Sequence, residues 1–182
     1  MSTDTIGALL HFWFEILTPK DWYRPPERVD ADIDRRFRDT YEALKDGIPD
    51  GWLATPRGFL AAILVLDQLP RNMFRGEARA FATDAAALAL AKRAIAEGMD
   101  ERLPPNKRAF IYLPFQHSED AADQAHSVGL FTALGNPLNL DYAIRHQAVV
   151  DRFDRFPHRN KILGRESTPE EEAFLEQPGS SF

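Results

Sequence analysis

"ATPRGFLAAILVLDQ", residues 54–68, decides the fold, because it reads either as a buried strand or as a central helix. From Phe59 to Leu66 no residue is polar. Ile63 to Leu66 would suit a strand buried on both faces. The flanks favour the helix. Thr55 is an N-cap residue, Pro56 fits the first helical position, where no N–H is needed, and the alanines are strong helix formers. A helix that is apolar all round must be enclosed by other helices. An enclosed central helix makes an all-α fold the expectation.

The chain on either side agrees. Ile6, Leu9, Leu10, Trp13, Phe14 and Leu17 keep helical spacing, and Thr18-Pro19 ends that run. Val29, Ile33, Phe37, Tyr41 and Leu44 mark one face of a second helix from about Glu27 to Lys45, with Gly47 as its stop. "FATDAAALALAKRAIAEG" is an alanine-rich helix started or capped by Thr83-Asp84 and stopped by Gly98. "PPNKRAFIYLPFQHSED" reads as helix until Pro114. Two more helices fit "DAADQAHSVGLFTAL", closed by Gly135, and "NLDYAIRHQAVVDRF". In "STPEEEAFL", Thr168 and Glu171 form a capping box around Pro169. Trp13, Phe14, Trp22, Tyr23 and Trp52 are core or core-edge residues. No alternating strand occurs, and no 34-residue repeat or linker interrupts the chain. The expectation is a single domain over residues 1–182, an array of about eight helices. Its tail, "EQPGSSF", is either loose or docked through Phe182.

Composition narrows the function. A chain of 182 residues is long enough to bury roughly 70% of its unfolded surface. Its net charge of -6 argues against nucleic acid as partner. The absence of cysteine excludes disulfides, thiolate nucleophiles and thiolate metal sites. "GFLAAILVL" is about half the length that a bilayer crossing needs, and the N-terminus lacks a basic leader. The expected setting is cytoplasmic, with no membrane partner.

Pro70, Pro114 and Pro157 share a context. Each follows or interrupts an apolar segment, and each is followed by polar residues: Arg71-Asn72, then Gln116 to Asp120, then His158-Arg159-Asn160. Proline removes a donor and disfavours the helix, so carbonyls need new partners. Arginine and asparagine supply them. One reading is a salt-bridge network in which arginines 71, 75, 155, 159 and 165 pair with Asp67, Asp84, Glu119, Asp120, Asp123 or Asp154.

The sharper reading is a concave site where the three proline-marked segments meet. Asp67, Arg71, Asn72, Arg75, Asp120, Arg155, His158, Arg159 and Asn160 would bind a small carboxylate, phosphate or peptide carboxylate. In an enzymatic version His117 is general acid or base, Glu119 or Asp120 orients it, and hydrolysis is the reaction class. A metal held by His117, Glu119 and His158 is a lesser alternative. The "HSE" at 117–119 lacks the cysteine ligands that a zinc deaminase needs. Neither phosphate-loop pattern nor a G-x-S-x-G elbow is present. No cofactor is expected.

Five blocks carry a resemblance: "FWF" at 12–14, "LDQLPRNMFR" at 66–75, "FATD" at 81–84, "YLPFQHSED" at 112–120, and "RFPHRNKILGR" at 155–165 with Ser167-Thr168 and the glutamates behind it. In this order they resemble the bacterial family catalogued as domain of unknown function 924. The resemblance implies a tetratricopeptide-like helical fold and no established activity. It also implies two departures. Asp154 stands where the family tends to have glycine, which would give Arg155 a carboxylate neighbour. "DWYR" at 21–24 replaces a common Trp-Phe pair, a change in packing.

Overall fold

The computed structural model describes residues 3–23 and 25–180. The Tyr23 side chain, Arg24 and Phe182 lie outside the described residues, and with them the expectations for Tyr23, part of "DWYR" and the docked tail. Among the described residues every regular element is helical and no strand occurs.

The described residues fall into two compact units, those within 3–75 and 79–114, and those within 76–78 and 115–180. In the first, α1 (Thr3–His11) runs into a wider turn at Phe12–Ile16, where Leu17 N–H bonds the Phe12 carbonyl five residues back. α2 (Pro19–Tyr23) and α3 (Glu27–Leu44) follow. Val29, Ile33, Phe37, Tyr41 and Leu44 all face the core, but Gly47 does not adopt the left-handed conformation of a capping glycine. Phe110 receives Trp13, Phe14 and Trp22 edge-to-face at 5.9, 5.3 and 5.2 Å. The Trp22 indole donates to the Trp13 carbonyl at 2.9 Å.

The deciding stretch is a helix. The Thr55 side chain caps α4 (Pro56–Ile63) by accepting from Gly58 N–H, and Phe59 to Leu66 are all buried. A Cβ on Gly58 would coincide with the Trp52 carbonyl oxygen, so only glycine lets the preceding loop lie this close. α4 continues without a gap through a wide turn at Leu64–Gln68 into α5 (Leu69–Met73). Of the kink or stop that a proline suggests, Pro70 does not produce the stop. The hydrogen-bond register widens just before it, with Leu69 N–H on the Leu64 carbonyl.

α6 (Asp84–Ala96) begins after a short turn at Ala78–Phe81 and stops before Gly98, which has positive φ. Thr83 does not cap it; its hydroxyl is used elsewhere. α7 (Pro105–Gln116) contains Pro114 rather than ending there. A proline in the last turn forfeits one donor without stopping the two residues that follow. Within the first unit α3 packs on α5, and α4 on both α1 and α6.

In the second unit α8 (Ala121–Leu134) and α9 (Pro137–Phe153) form a packed helical hairpin. Gly135 at φ 77° ends α8, and Asn136 caps α9 by accepting from Leu138 and Asn139 N–H. α9 ends at Asp154, the one non-glycine residue with positive φ among those described, at 56°. Pro157 thus starts a short turn, Pro157–Arg159, after the helix has already stopped. α10 (Pro169–Leu175) carries the expected capping box of Thr168 and Glu171. No helix among the described residues is long and apolar enough to cross a membrane.

Candidate functional site

The structure puts Asp67, Arg71, Asn72 and Arg75 in the first unit, and His117, Glu119, Asp120, Arg155, His158, Arg159 and Asn160 in the second. Each group has its own geometry.

In the first unit the wide turn carries Asp67, fully buried, whose carboxylate accepts from Gln68 Nε2 at 2.6 Å. Arg71 lies between two acids, with Nη1 3.4 Å from Asp67 and both Nη1 and Nη2 on the Asp84 carboxylate at 2.8 and 2.9 Å. Burial disfavours the Arg71 charge, and Asp67 and Asp84 more than offset that, holding its pKa above the ordinary value. Asn72 and Arg75 reach Asp30 on α3, at 2.7 Å for Asn72 and at 2.8 and 3.0 Å for Arg75.

The same block resolves the donor problem that proline creates. Pro70 cannot donate to the Leu66 carbonyl four residues back, and the Thr83 hydroxyl bonds that carbonyl at 2.6 Å. Arg71 Nη1 bonds the next carbonyl, that of Asp67, at 2.6 Å. The residues after Pro70 thus complete a helix and fasten it to α3 and α6.

In the second unit side chains likewise take up carbonyls, here ones at and beyond the end of α7 and after α9 rather than one that a proline orphans. Beyond the end of α7 the Gln124 amide donates to the carbonyls of Gln116 and Ser118 at 2.8 and 2.6 Å. Arg159 Nη2 takes the His117 carbonyl at 3.1 Å, and Arg165 Nη2 that of Phe156 at 3.2 Å. Asp120 caps α8, accepting from Ala122 and Asp123 N–H at 2.9 and 3.0 Å.

Glu119 receives Arg165 bidentately at 2.7 and 2.9 Å and Phe156 N–H at 2.7 Å. Burial raises its pKa, and Arg165 and the Phe156 N–H more than reverse this, leaving it below the usual carboxylate value. Its carboxylate is engaged by these groups rather than by an imidazole. Arg155, beside Asp154 in sequence, turns to Glu171 instead, at 2.6 and 2.7 Å. Asn160 Nδ2 donates to Ser167 Oγ at 3.1 Å.

One cluster has a different character. Around the buried Phe156 ring stand Arg159, its guanidinium carbon 4.6 Å from the centroid, His158 at 5.7 Å and His146 at 5.5 Å. His117 lies 6.4 Å from His146, ring to ring. His146 is 4% exposed, and its Nδ1 lies 2.8 Å from the Tyr142 carbonyl. A carbonyl only accepts, so Nδ1 carries the proton in the neutral ring. Burial, then His117, Arg159 and His158, push its pKa down to about 3. His117 and His158 are half-buried and Arg159 is buried. Among the described residues no set of three histidine or carboxylate side chains is arranged to hold a metal ion.

Asp30 and Glu171 as arginine partners, and His146 as a member of the cluster, are roles that the sequence reading does not assign. For His146 a signal existed. It shares the buried face of α9 with Ala143 and Val150 at helical spacing.

Fold and clusters together define an all-α protein whose helix ends are cross-linked by arginine–carboxylate pairs. Residues 9–179 match the family of bacterial proteins of unknown function DUF924, and the chain belongs to that family. It is similar to a solved structure, the protein of unknown function ATU0120 from Agrobacterium tumefaciens. The two are 41% identical with a TM-score of 0.92, and the match covers 97% of this chain and 99% of that one. No curated protein matches.

Proposed function

We propose that this is a cytoplasmic, tetratricopeptide-like protein that binds a small oxyanion, a carboxylate or phosphate, through His117, His158 and Arg159 of the second unit. The observation that carries this reading is the gathering of these three side chains, with His146, about the Phe156 ring. Guanidinium and imidazole groups recognise carboxylates and phosphates by charge-assisted hydrogen bonds. The imidazoles are half-buried, which leaves them both solvent access and an apolar frame.

The test is a titration of the whole protein with inorganic phosphate and with acetate, following the imidazole C–H resonances of His117 and His158 by NMR. Both resonances shift with saturation in the wild type, and Arg159→Gln weakens the response at least several-fold. Absence of any saturable shift would falsify the proposal.

A second reading, a scaffold without ligand, is favoured by one specific observation. Arg71, Asn72, Arg75, Glu119, Asp120 and Arg155 each bond a structural partner within their own unit. For these six residues the cross-linking role is sufficient, and the ligand reading no longer includes them.

A further inference from the structure

The last helix of the second unit is docked largely by charge, with one apolar contact. The buried residue of α10 is Glu171, a carboxylate. Three arginine–glutamate pairs tie residues 165–171 to the rest of the unit. Arg152 meets Glu170 at 2.8 Å, Arg155 meets Glu171 at 2.6 Å, and Arg165 meets Glu119 at 2.7 Å. Apolar anchorage comes from Phe174, partly buried against Phe153, Val149, Val150 and Phe156, with the Phe153 and Phe174 rings 5.1 Å apart. Arg165 also holds the Phe156 carbonyl, so the segment passes beside the residue that His146, His158 and Arg159 surround.

Docking of this kind responds to ionic strength. Salt screens pairs that keep contact with water, whereas burial of an apolar face is insensitive to it or strengthened. Arg152 and Glu170 are 49% and 64% exposed, and Arg165 and Glu119 25% and 27%. We infer that residues 161–175 form a releasable strap, clasped by these three pairs, that governs entry of the anion to the His117, His158 and Arg159 site. The governing role rests on the anion-binding reading; the strap does not.

Hydrogen exchange on the full chain tests the strap. Between about 0.05 and 1 M NaCl the screening length falls to about 3 Å. Amides of residues 169–175 then lose protection roughly tenfold relative to those of α9, and Glu171→Gln produces the same loss at low salt. Arg152→Gln, which removes only the most exposed pair, gives a smaller loss in the same direction should Glu171→Gln fail to fold. Protection of α10 that tracks α9 under all these conditions overturns the strap. Exchange broadening with inorganic phosphate at constant low salt tests the gate. Phosphate enters and leaves faster in the strap variants than in wild type, and equal rates overturn gating. Phosphate and acetate that both bind neither wild type nor variant end the anion reading and gating with it, while the exchange data still decide the strap.

Discussion

Glu171 is 2% exposed yet accepts from Arg155 Nε and Nη2 and from Thr168 N–H. Those bonds, led by Arg155, hold its pKa at about 2, against an ordinary 4.5. A depressed carboxylate stabilises the fold fully above the unfolded value, so this contribution is lost as pH falls from 4.5 toward 2. His146 works over a different window. Its ring stays neutral in the fold down to about 3, while the unfolded chain takes up a proton below 6.5, so stability falls as pH drops from 6.5 toward 3. Denaturant midpoints measured against pH therefore show two successive losses. His146→Gln flattens the upper one and Glu171→Gln the lower; unchanged profiles would refute both assignments. Asp154 offers a third test. At φ 56° a side chain is strained where glycine is not, so Asp154→Gly raises stability, by about 1 kcal/mol at most. The glycine that the family resemblance implies at this position thus has a conformational reason, and the aspartate gives Arg155 no partner that Glu171 does not already supply.

At the scale of elements, the start of α4 lies close against a loop oxygen, and its junction with α5 has a hydroxyl bonded beside it. Gly58→Ala forces a methyl group into the Trp52 carbonyl. Overpacking costs typically about 1–3 kcal/mol, and because the obstacle is backbone the loss lies at the upper end or beyond, read as a lowered Tm. Thr83→Val removes the donor to the Leu66 carbonyl, leaving a buried acceptor unmet at a cost of about 1–3 kcal/mol. Pro70→Ala restores an N–H within reach of that carbonyl, so the double variant recovers part of the loss. Strict additivity in this cycle would show that the hydroxyl does not stand in for proline's missing donor. Elements whose signals are local were legible from sequence, among them the Thr55-Pro56 start, the Thr168–Glu171 box and the stops at Gly98 and Gly135. The passage of helix through Pro70 and Pro114 was not. At Pro70 it goes with a wider register and with a donor from Thr83, just before α6, which no local pattern announces.

For the whole molecule, the division into two units follows Pro114, inside α7, and also sets Gly76–Ala78 apart from the first unit. The single domain expected from the sequence predicts a single cooperative unfolding transition, with equal calorimetric and van't Hoff enthalpies; two resolved transitions would show the units to be independent domains. The pattern of charge reads the same way at this scale. Residue types in the arginine blocks were visible in sequence, but their pairing was not. Asn72 meets Asp30 and Arg165 meets Glu119 across 42 and 46 positions, separations over which spacing carries no information about contact. All three tryptophans, Trp13, Trp22 and Trp52, belong to the first unit, so intrinsic emission is an optical label for that half alone. An emission melt that coincides with the far-ultraviolet ellipticity melt reports a shared transition. A Phe153→Trp variant would add a chromophore to the other half, beside the charged clasp of α10.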